Sequence, residues 1–272
     1  MSKIIFVSYA AGTYKRNIYW NKFFVKLFVR PEIILFLTDD DLRQDPIHQK
    51  YQSVFSAKTG AGFWAWKPWV ILKAMEFAED DDIVLYQDCG QGLRYKNLMR
   101  PNSIINYANI HGVMPGVLVP EHGTNKEWTH HQCFDLMECD AEIFFISPQV
   151  EAVISAWKVN SETKQLVQDW LNFCTNEKII SDSYIEYDSV FATKGHRYDQ
   201  SILTNLVIKY GLVPVSHDVS GAHLFKSMTF LNLFLAKDKW YTNIIFSIAC
   251  LCVKLLRAIR SNNIPTTPAE KN

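Results

Sequence analysis

The chain has 272 residues, with 28 Lys plus Arg against 28 Asp plus Glu, and is 48% hydrophobic and 14% aromatic. That length, with no long Gly/Ser/Pro linker, predicts one catalytic-sized domain with an appendage, and the composition excludes disordered and collagenous classes. Balanced charge leaves no global field to draw the chain onto nucleic acid, so nucleic acid is not expected as a partner.

The start "MSKIIFVSYA" goes straight into an apolar run, with no signal-peptide h-region after a basic head. The six cysteines (Cys89, Cys133, Cys139, Cys174, Cys250, Cys252) form no CxxC pair. Both features predict a reducing, cytoplasmic setting.

"KIIFVSY" (3–9) and "EIILFLT" (32–38) read as strands, and the stretch "YKRNIYWNKFFVKLF" between them as helix. "GAGFWAWKPW" (60–69) follows, with three tryptophans, two glycines and a lysine before a proline. In "PWVILKAMEFAEDD", Pro68 suits a first helical turn, and Val70, Ala74 and Phe77 repeat at helical spacing with Ile71, Met75 and Ala78. The acids Glu79 to Asp82 make a turn, and "DIVLYQDCG" is a short strand ending in Gln87, Asp88, Cys89 and Gly90. "EIFFIS" (142–147) reads as a strand, with Ser147 and Pro148 opening a helix that carries Val150, Ile154 and Trp157 on one face. Another helix covers "SETKQLVQDWLNFC". "RYDQSILTNLVIKYG" places Asp199 at a helix start, with Ile202, Leu203, Leu206, Val207 and Tyr210 inward and Gly211 as the stop. "LVPVSH" is a last strand candidate. Strands alternating with helices predict an α/β fold around a mostly parallel sheet.

Near the C-terminus, the uncharged run Ile244 to Val253 is too short to span a bilayer, which needs about 20 residues. On a helical wheel Asn243, Ser247, Lys254, Arg257 and Ser261 form a narrow, increasingly basic stripe in an otherwise apolar surface, as expected for a helix lying in a membrane interface. Packing on the domain or on a second subunit is the other reading. "FLNLFLAKDKW" before it adds apolar surface, and "IPTTPAEKN" after it is expected to be disordered.

In open α/β sheets ligands sit beyond the carboxyl ends of the strands, which singles out Asp88 and His217. Asp88, followed by a small residue and Gly90, could hold a ribose hydroxyl or a divalent metal while the glycine admits a phosphate; capping a turn is its alternative. His217 could complete a metal site with Asp88, contact a diphosphate, or be a turn histidine bound to backbone. "GHRYDQS" (195–201) gathers His196, Arg197, Asp199 and Gln200 at a helix start. Arg197 can clamp a phosphate or carboxylate, Gln200 can reach a sugar hydroxyl, and Asp199 could cap the helix. Trp64 and Trp66, with Trp69, offer flat faces for sugars or bases, and Lys67 suits phosphate or sugar oxygens. Each tryptophan could equally be core packing, which would leave the glycines and the lysine without a role.

Taken in order, "GAGFWAWKPW", "DIVLYQDCG" and "HRYDQSIL" resemble a family of small glycosyltransferases of bacterial capsule and surface-polysaccharide assembly, with a GT-A-like (Rossmann-related) nucleotide-sugar-binding fold. The resemblance runs from about residue 3 to about residue 225. "EWTHHQCFDLM" and "QDWLNFC" are also similar in kind. It implies a GT-A-like domain over 1–225; the C-terminal helical segment, read over 226–262, and the tail over 263–272 lie outside the match.

The implied activity is transfer of a sugar from a nucleotide diphosphate donor, UDP by family habit, to a hydroxyl of a glycan or lipid-linked acceptor on the inner face of the membrane. Asp88 falls at the first acid of a DxD motif, and Gly90 replaces the second, which puts dependence on Mn²⁺ or Mg²⁺ in question. His217 could replace the missing ligand, as a late histidine does in glycogenin-like enzymes. The resemblance implies catalytic roles for Asp88, Asp199 and Gln200, with Asp199 the general base of an inverting reaction or only a positioning or charge-stabilising group in a retaining one, and donor binding by Trp64, Trp66, Lys67, Asp88, Gly90, His196 and Arg197. Two other functions compete: a non-catalytic carbohydrate-binding scaffold of a polysaccharide assembly complex, and a phosphoryl hydrolase with Asp88 as nucleophile, which Gly90 disfavours because such enzymes use a second acid two residues on.

Overall fold

The structure is a computed structural model that describes residues 2–90, 101–186 and 189–216. Its central strand is β1 (Ile4–Ala10), which pairs in parallel with β2 (Ile33–Thr38) on one side and β3 (Ile83–Gln87) on the other. Short β4 (Val113–Met114) and β5 (Val117–Leu118) follow, then β6 (Val150–Glu151) and β7 (Ile154–Lys158). β7 runs antiparallel to β3 and to β4, giving a five-stranded order β2-β1-β3-β7-β4, while β5 and β6 make a separate pair. The fold is therefore α/β around a mixed sheet, parallel at its core.

Period-2 alternation sends the two faces of each strand into different cores. Ile5, Val7 and Tyr9 of β1, with Val84, Tyr86 and Trp157, face one cluster, and Phe6, Ile83, Leu85, Ile154 and Ala156 face the other. The second cluster is closed by α1 (Ile18–Phe24), which contributes Phe24 and follows a 3₁₀ turn over Gly12–Asn17. On the other side of β2, α2 (Asp39–Gln44) begins with a Thr38–Asp41 capping box. The first cluster is closed by α3 (Trp66–Met75), while α4 (Pro101–His111) adds Ile104, Ile105 and Ala108 to the second. α5 (His131–Leu136) and α6 (Glu142–Ile146) are short, α7 (Ser161–Cys174) packs on α3, and α8 (Asp199–Lys209) completes the layer.

Four expectations need correction. "EIFFIS" is helix α6, not a strand: the neighbours Phe144 and Phe145 both turn inward while Ile143 and Ile146 stay exposed, a pattern one helical turn satisfies and strand alternation cannot. The segment after Pro148 is strand, not helix. Val150, Ile154 and Trp157 mimic helical spacing only because a turn separates β6 from β7, and along β7 Ile154 and Ala156 face one core while Trp157 faces the other. Tyr210 lies outside, its hydroxyl donating to Asp169 Oδ2 at 2.6 Å.

"LVPVSH" makes one bridge, Val215 to Val117, rather than a strand, and His217 with the C-terminal segment lies outside the described residues. Among the described residues no helix is long and apolar enough to cross a membrane. Cys89, Cys133, Cys139 and Cys174 are buried free thiols.

Candidate active site

Three elements converge on one point. Tyr86 and Asp88 lie two residues apart at the end of β3, and the Tyr86 hydroxyl donates to Asp88 Oδ1 at 2.5 Å while the Asp88 N–H is anchored on Val153 O at 2.9 Å. α3 brings in Lys67 and α8 opens on Asp199. Lys67 Nζ sits 3.5 Å from Asp88 Oδ1 and 3.1 Å from Asp199 Oδ2, and donates to Ala152 O at 3.1 Å. All three side chains are buried, Asp88 the least, at 11% exposed against 4% for Asp199.

Asp199 is buried and shares that ammonium with a second carboxylate, Asp88. Burial accordingly pushes the Asp199 carboxyl up to about 7, and the charge of Asp88 adds to the rise while Lys67 opposes it. A carboxyl poised there exchanges a proton at neutral pH.

"GAGFWAWKPW" has a conformational explanation. Five successive residues have positive φ: Gly60 (58°), Ala61 (51°), Gly62 (101°), Phe63 (54°) and Trp64 (57°). This is a left-handed turn, costing about 1–2 kcal/mol for each residue that carries a Cβ. The glycines relieve two positions, and a Cβ on Gly60 would stand 2.2 Å from the Trp64 ring, so that ring lies directly on the glycine. The Trp66 indole N–H closes the turn on Gly60 O at 3.0 Å and its ring stacks on Tyr9 at 4.1 Å, while Trp69 donates to Asp45 Oδ2. Trp66 and Trp69 are core packing that launches α3 and so aims Lys67. Trp64 is only half-buried and meets Tyr198 at 5.6 Å.

Tyr198 also has a positive φ, 50° with ψ −121°, directly before Asp199. The four expected site residues of that segment go to different places. His196 is buried, its Nε2 donating to Ile179 O at 3.0 Å and its ring packed on His130 at 4.2 Å, and burial holds its pKa well below the usual histidine value. It is a neutral core residue. Arg197 lays its guanidinium over Trp128 at 3.8 Å, with Nη1 3.3 Å from His122 Nδ1. Asp199 turns to Lys67, and Gln200 donates to Gln149 Oε1 at 3.1 Å. Gly90 is buried beside Cys89, whose thiol accepts from Asn21 at 3.1 Å.

Tyr86, Tyr198 and Gln149 escaped the sequence reading. Strand alternation signals Tyr86, which shares the face of Asp88. Nothing local signals Gln149, which lies 51 positions from its partner.

Among the described residues the Lys67 ammonium stands between Asp88 and Asp199, and His217, the other expected metal ligand, lies outside them. No group of three potential ligand side chains occurs among the described residues. A surface groove of about 600 Å³ between α3 and α7, lined by Trp69, Lys73 and Gln168, shares none of the three clustered residues.

Comparison of the chain with protein-family models, with curated proteins and with solved structures found no match in any of the three.

Proposed function

We propose that the protein is a glycosyltransferase that moves a sugar from a nucleotide diphosphate donor, UDP-linked by the habit of the family it resembles, to a hydroxyl of a glycan or lipid-linked acceptor. One observation carries the reading: two carboxylates of unequal exposure, joined by one buried ammonium, sit beyond the carboxyl end of β3 in a sheet whose centre is parallel. Asp88, the more accessible acid, takes a hydroxyl of the donor. Asp199, poised to about 7, takes the proton of the acceptor hydroxyl. The acceptor oxygen forms the new bond to the anomeric carbon, the bond from that carbon to the diphosphate oxygen breaks, and the nucleoside diphosphate leaves with the electron pair.

Lys67 is taken up by the acids and by Ala152 O, so its role is to fix their geometry. Arg197, whose guanidinium meets Trp128 and His122 rather than a carboxylate, is the better cation for the departing diphosphate. The basic, apolar stretch 243–261 brings the reaction to the inner face of a membrane.

The test is release of nucleoside diphosphate from a panel of nucleotide sugars by the purified chain. Turnover of one donor that disappears in Asp88→Ala and in Asp199→Ala, with both variants folded, is the expected result. Silence on every donor, with no donor raising Tm, would sink the reading and favour a scaffold. A covalent aspartyl-phosphate on Asp88 would instead indicate the hydrolase.

A further inference from the structure

We propose that Gln149 is a positioning residue for Gln200: a chain of buried amides, running in one direction from a backbone carbonyl, turns the Gln200 nitrogen inward and leaves its carbonyl oxygen for a hydroxyl of the ligand. The functional half of this inference rests on the transferase reading above; the structural half does not.

The direction of the chain is set by an atom that has no choice. Phe144 O can only accept, and Asn125 Nδ2 donates to it at 3.0 Å and to Asn205 Oδ1 at 2.7 Å, which uses both of its N–H groups. Asn125 must then present Oδ1 on its other side, where it accepts from Thr129 Oγ1 at 2.8 Å and from Gln149 Nε2 at 2.7 Å. With its nitrogen committed there, Gln149 offers only Oε1 to Gln200, whose Nε2 donates to it at 3.1 Å. Asn125, Thr129, Gln149 and Asn205 are each wholly buried, so no water is at hand to satisfy a reversed amide. Turning Gln149 over would set its oxygen against Asn125 Oδ1, and turning Asn125 to match would set another oxygen against Phe144 O. Asn205 closes the far end by pointing Nδ2 at Met137 Sδ, 3.5 Å away.

The backbone of Gln200 is tied to the same segment. Thr204 Oγ1 donates to Gln200 O at 2.8 Å and accepts the Val150 N–H at 3.1 Å, so the residue after Gln149 holds the helix turn that carries Gln200. Gln200 itself is only partly buried. Its outward end therefore carries a carbonyl oxygen, which a sugar hydroxyl satisfies by donating and a phosphate oxygen cannot. That oxygen is thereby assigned to a hydroxyl of the donor and not to a phosphate oxygen.

A carboxylate placed at position 200 reads the polarity directly. In the full-length Gln200→Glu variant, the new carboxyl would face the Gln149 oxygen and should titrate above the ordinary glutamate value of about 4.3, followed by ¹³C NMR. A value below that would mean it faces an N–H, and would overturn the proposal.

Gln149→Met supplies the second arm. The exchange of the Gln200 side-chain amide with water should quicken about tenfold or more while the Asn205 amide stays protected; unchanged Gln200 exchange would again overturn it. In transfer assays Gln149→Met and Gln200→Met should each raise the KM for donor about tenfold with little change in kcat, and the double variant should be no worse than Gln200→Met alone, whereas effects that multiply would show that Gln149 does not act through Gln200. If the wild type transfers no sugar, the transferase reading falls, and the titration and exchange results still decide the amide chain.

Discussion

The Lys67 ammonium lies 3.1 Å from Asp199 and 3.5 Å from Asp88, so a single cation ties the first turn of α8 to the end of β3. Neither acid is placed by its own neighbours in sequence. Lys67 is aimed by α3, and α3 is launched by the left-handed turn that Trp66 closes on Gly60. The geometry of the acid pair is therefore inherited from a strained segment more than twenty residues before Asp88, in keeping with strain concentrating where a site must be held rigid.

Transfer should depend on an ionised Asp199. With its carboxyl at about 7, kcat/KM should fall about tenfold for each pH unit below that value and level off above it. A profile measured from pH 5 to 9 checks this. A flat profile over that range would remove Asp199 as the proton acceptor.

The same group makes a stability prediction of opposite sense. A carboxyl raised from 3.8 to about 7 binds more protons in the folded than in the unfolded state between those values, so its contribution is fully favourable below about 4 and is lost as pH rises to 7. Asp199→Asn should therefore be inactive yet more stable than wild type at pH 8, with the gain vanishing toward pH 4. The shift to about 7 already includes the Lys67 attraction and caps the gain at about 4 kcal/mol, roughly 10 °C in Tm. Thermal melts at pH 4 and pH 8 decide it, and a loss of stability at pH 8 would show that the Lys67 pair outweighs the burial of charge.

Lys67→Met is the reverse experiment. It takes from the buried Asp199 the ammonium 3.1 Å away and should cost about 3–5 kcal/mol at pH 8. Because Asp199 can protonate, the cost should shrink by pH 5. Denaturant unfolding at the two pH values measures both numbers, and equal costs would mean that the charge of Asp199 does not change between them.

How far the site could be read from sequence follows from the range of its contacts. Asp88 was legible because it follows an apolar strand, and Asp199 because it opens a helix; both are local signals. That the two share Lys67 was not, since the partners lie 21 and 132 positions away. The burial of His196 was not legible for the same reason: it is decided by Ile179 and His130, which no nearby residue announces. The three central strands were legible from their β-rich apolar runs, but "EIFFIS" misled because Phe144 and Phe145 are adjacent, and only the aromatic contacts of Phe145 with Phe134 and Phe191 show which way the pair faces. The glycines of the aromatic segment were visible as an anomaly, and their reason is a backbone conformation that composition alone does not announce.

Chelation tests whether a cation shares the acid pair. Since Lys67 occupies the position between Asp88 and Asp199, nucleoside diphosphate release should continue undiminished in EDTA. Loss of release that Mn²⁺ restores would show that Lys67 yields its place when donor binds. It would also shift the role of Asp88 from taking a hydroxyl to holding a metal.

The two glycines should fail in different ways. At Gly62 (φ 101°) an added Cβ meets the Phe55 backbone at 3.0 Å, which cannot move aside, so Gly62→Ala should destabilise by about 2 kcal/mol or more. At Gly60 (φ 58°) the added Cβ meets the Trp64 ring at 2.2 Å, and the half-buried ring can swing out. Gly60→Ala should therefore cost less, about 1 kcal/mol, the strain of an αL residue, while displacing Trp64 from Tyr198. Denaturant unfolding of both variants, with Trp fluorescence of the Gly60→Ala chain, separates the cases. If Gly60→Ala proves the more destabilising of the two, the Trp64 ring is held by packing that the partly open Phe63–Trp64–Tyr198 cluster does not reveal, and its face is not free for a sugar.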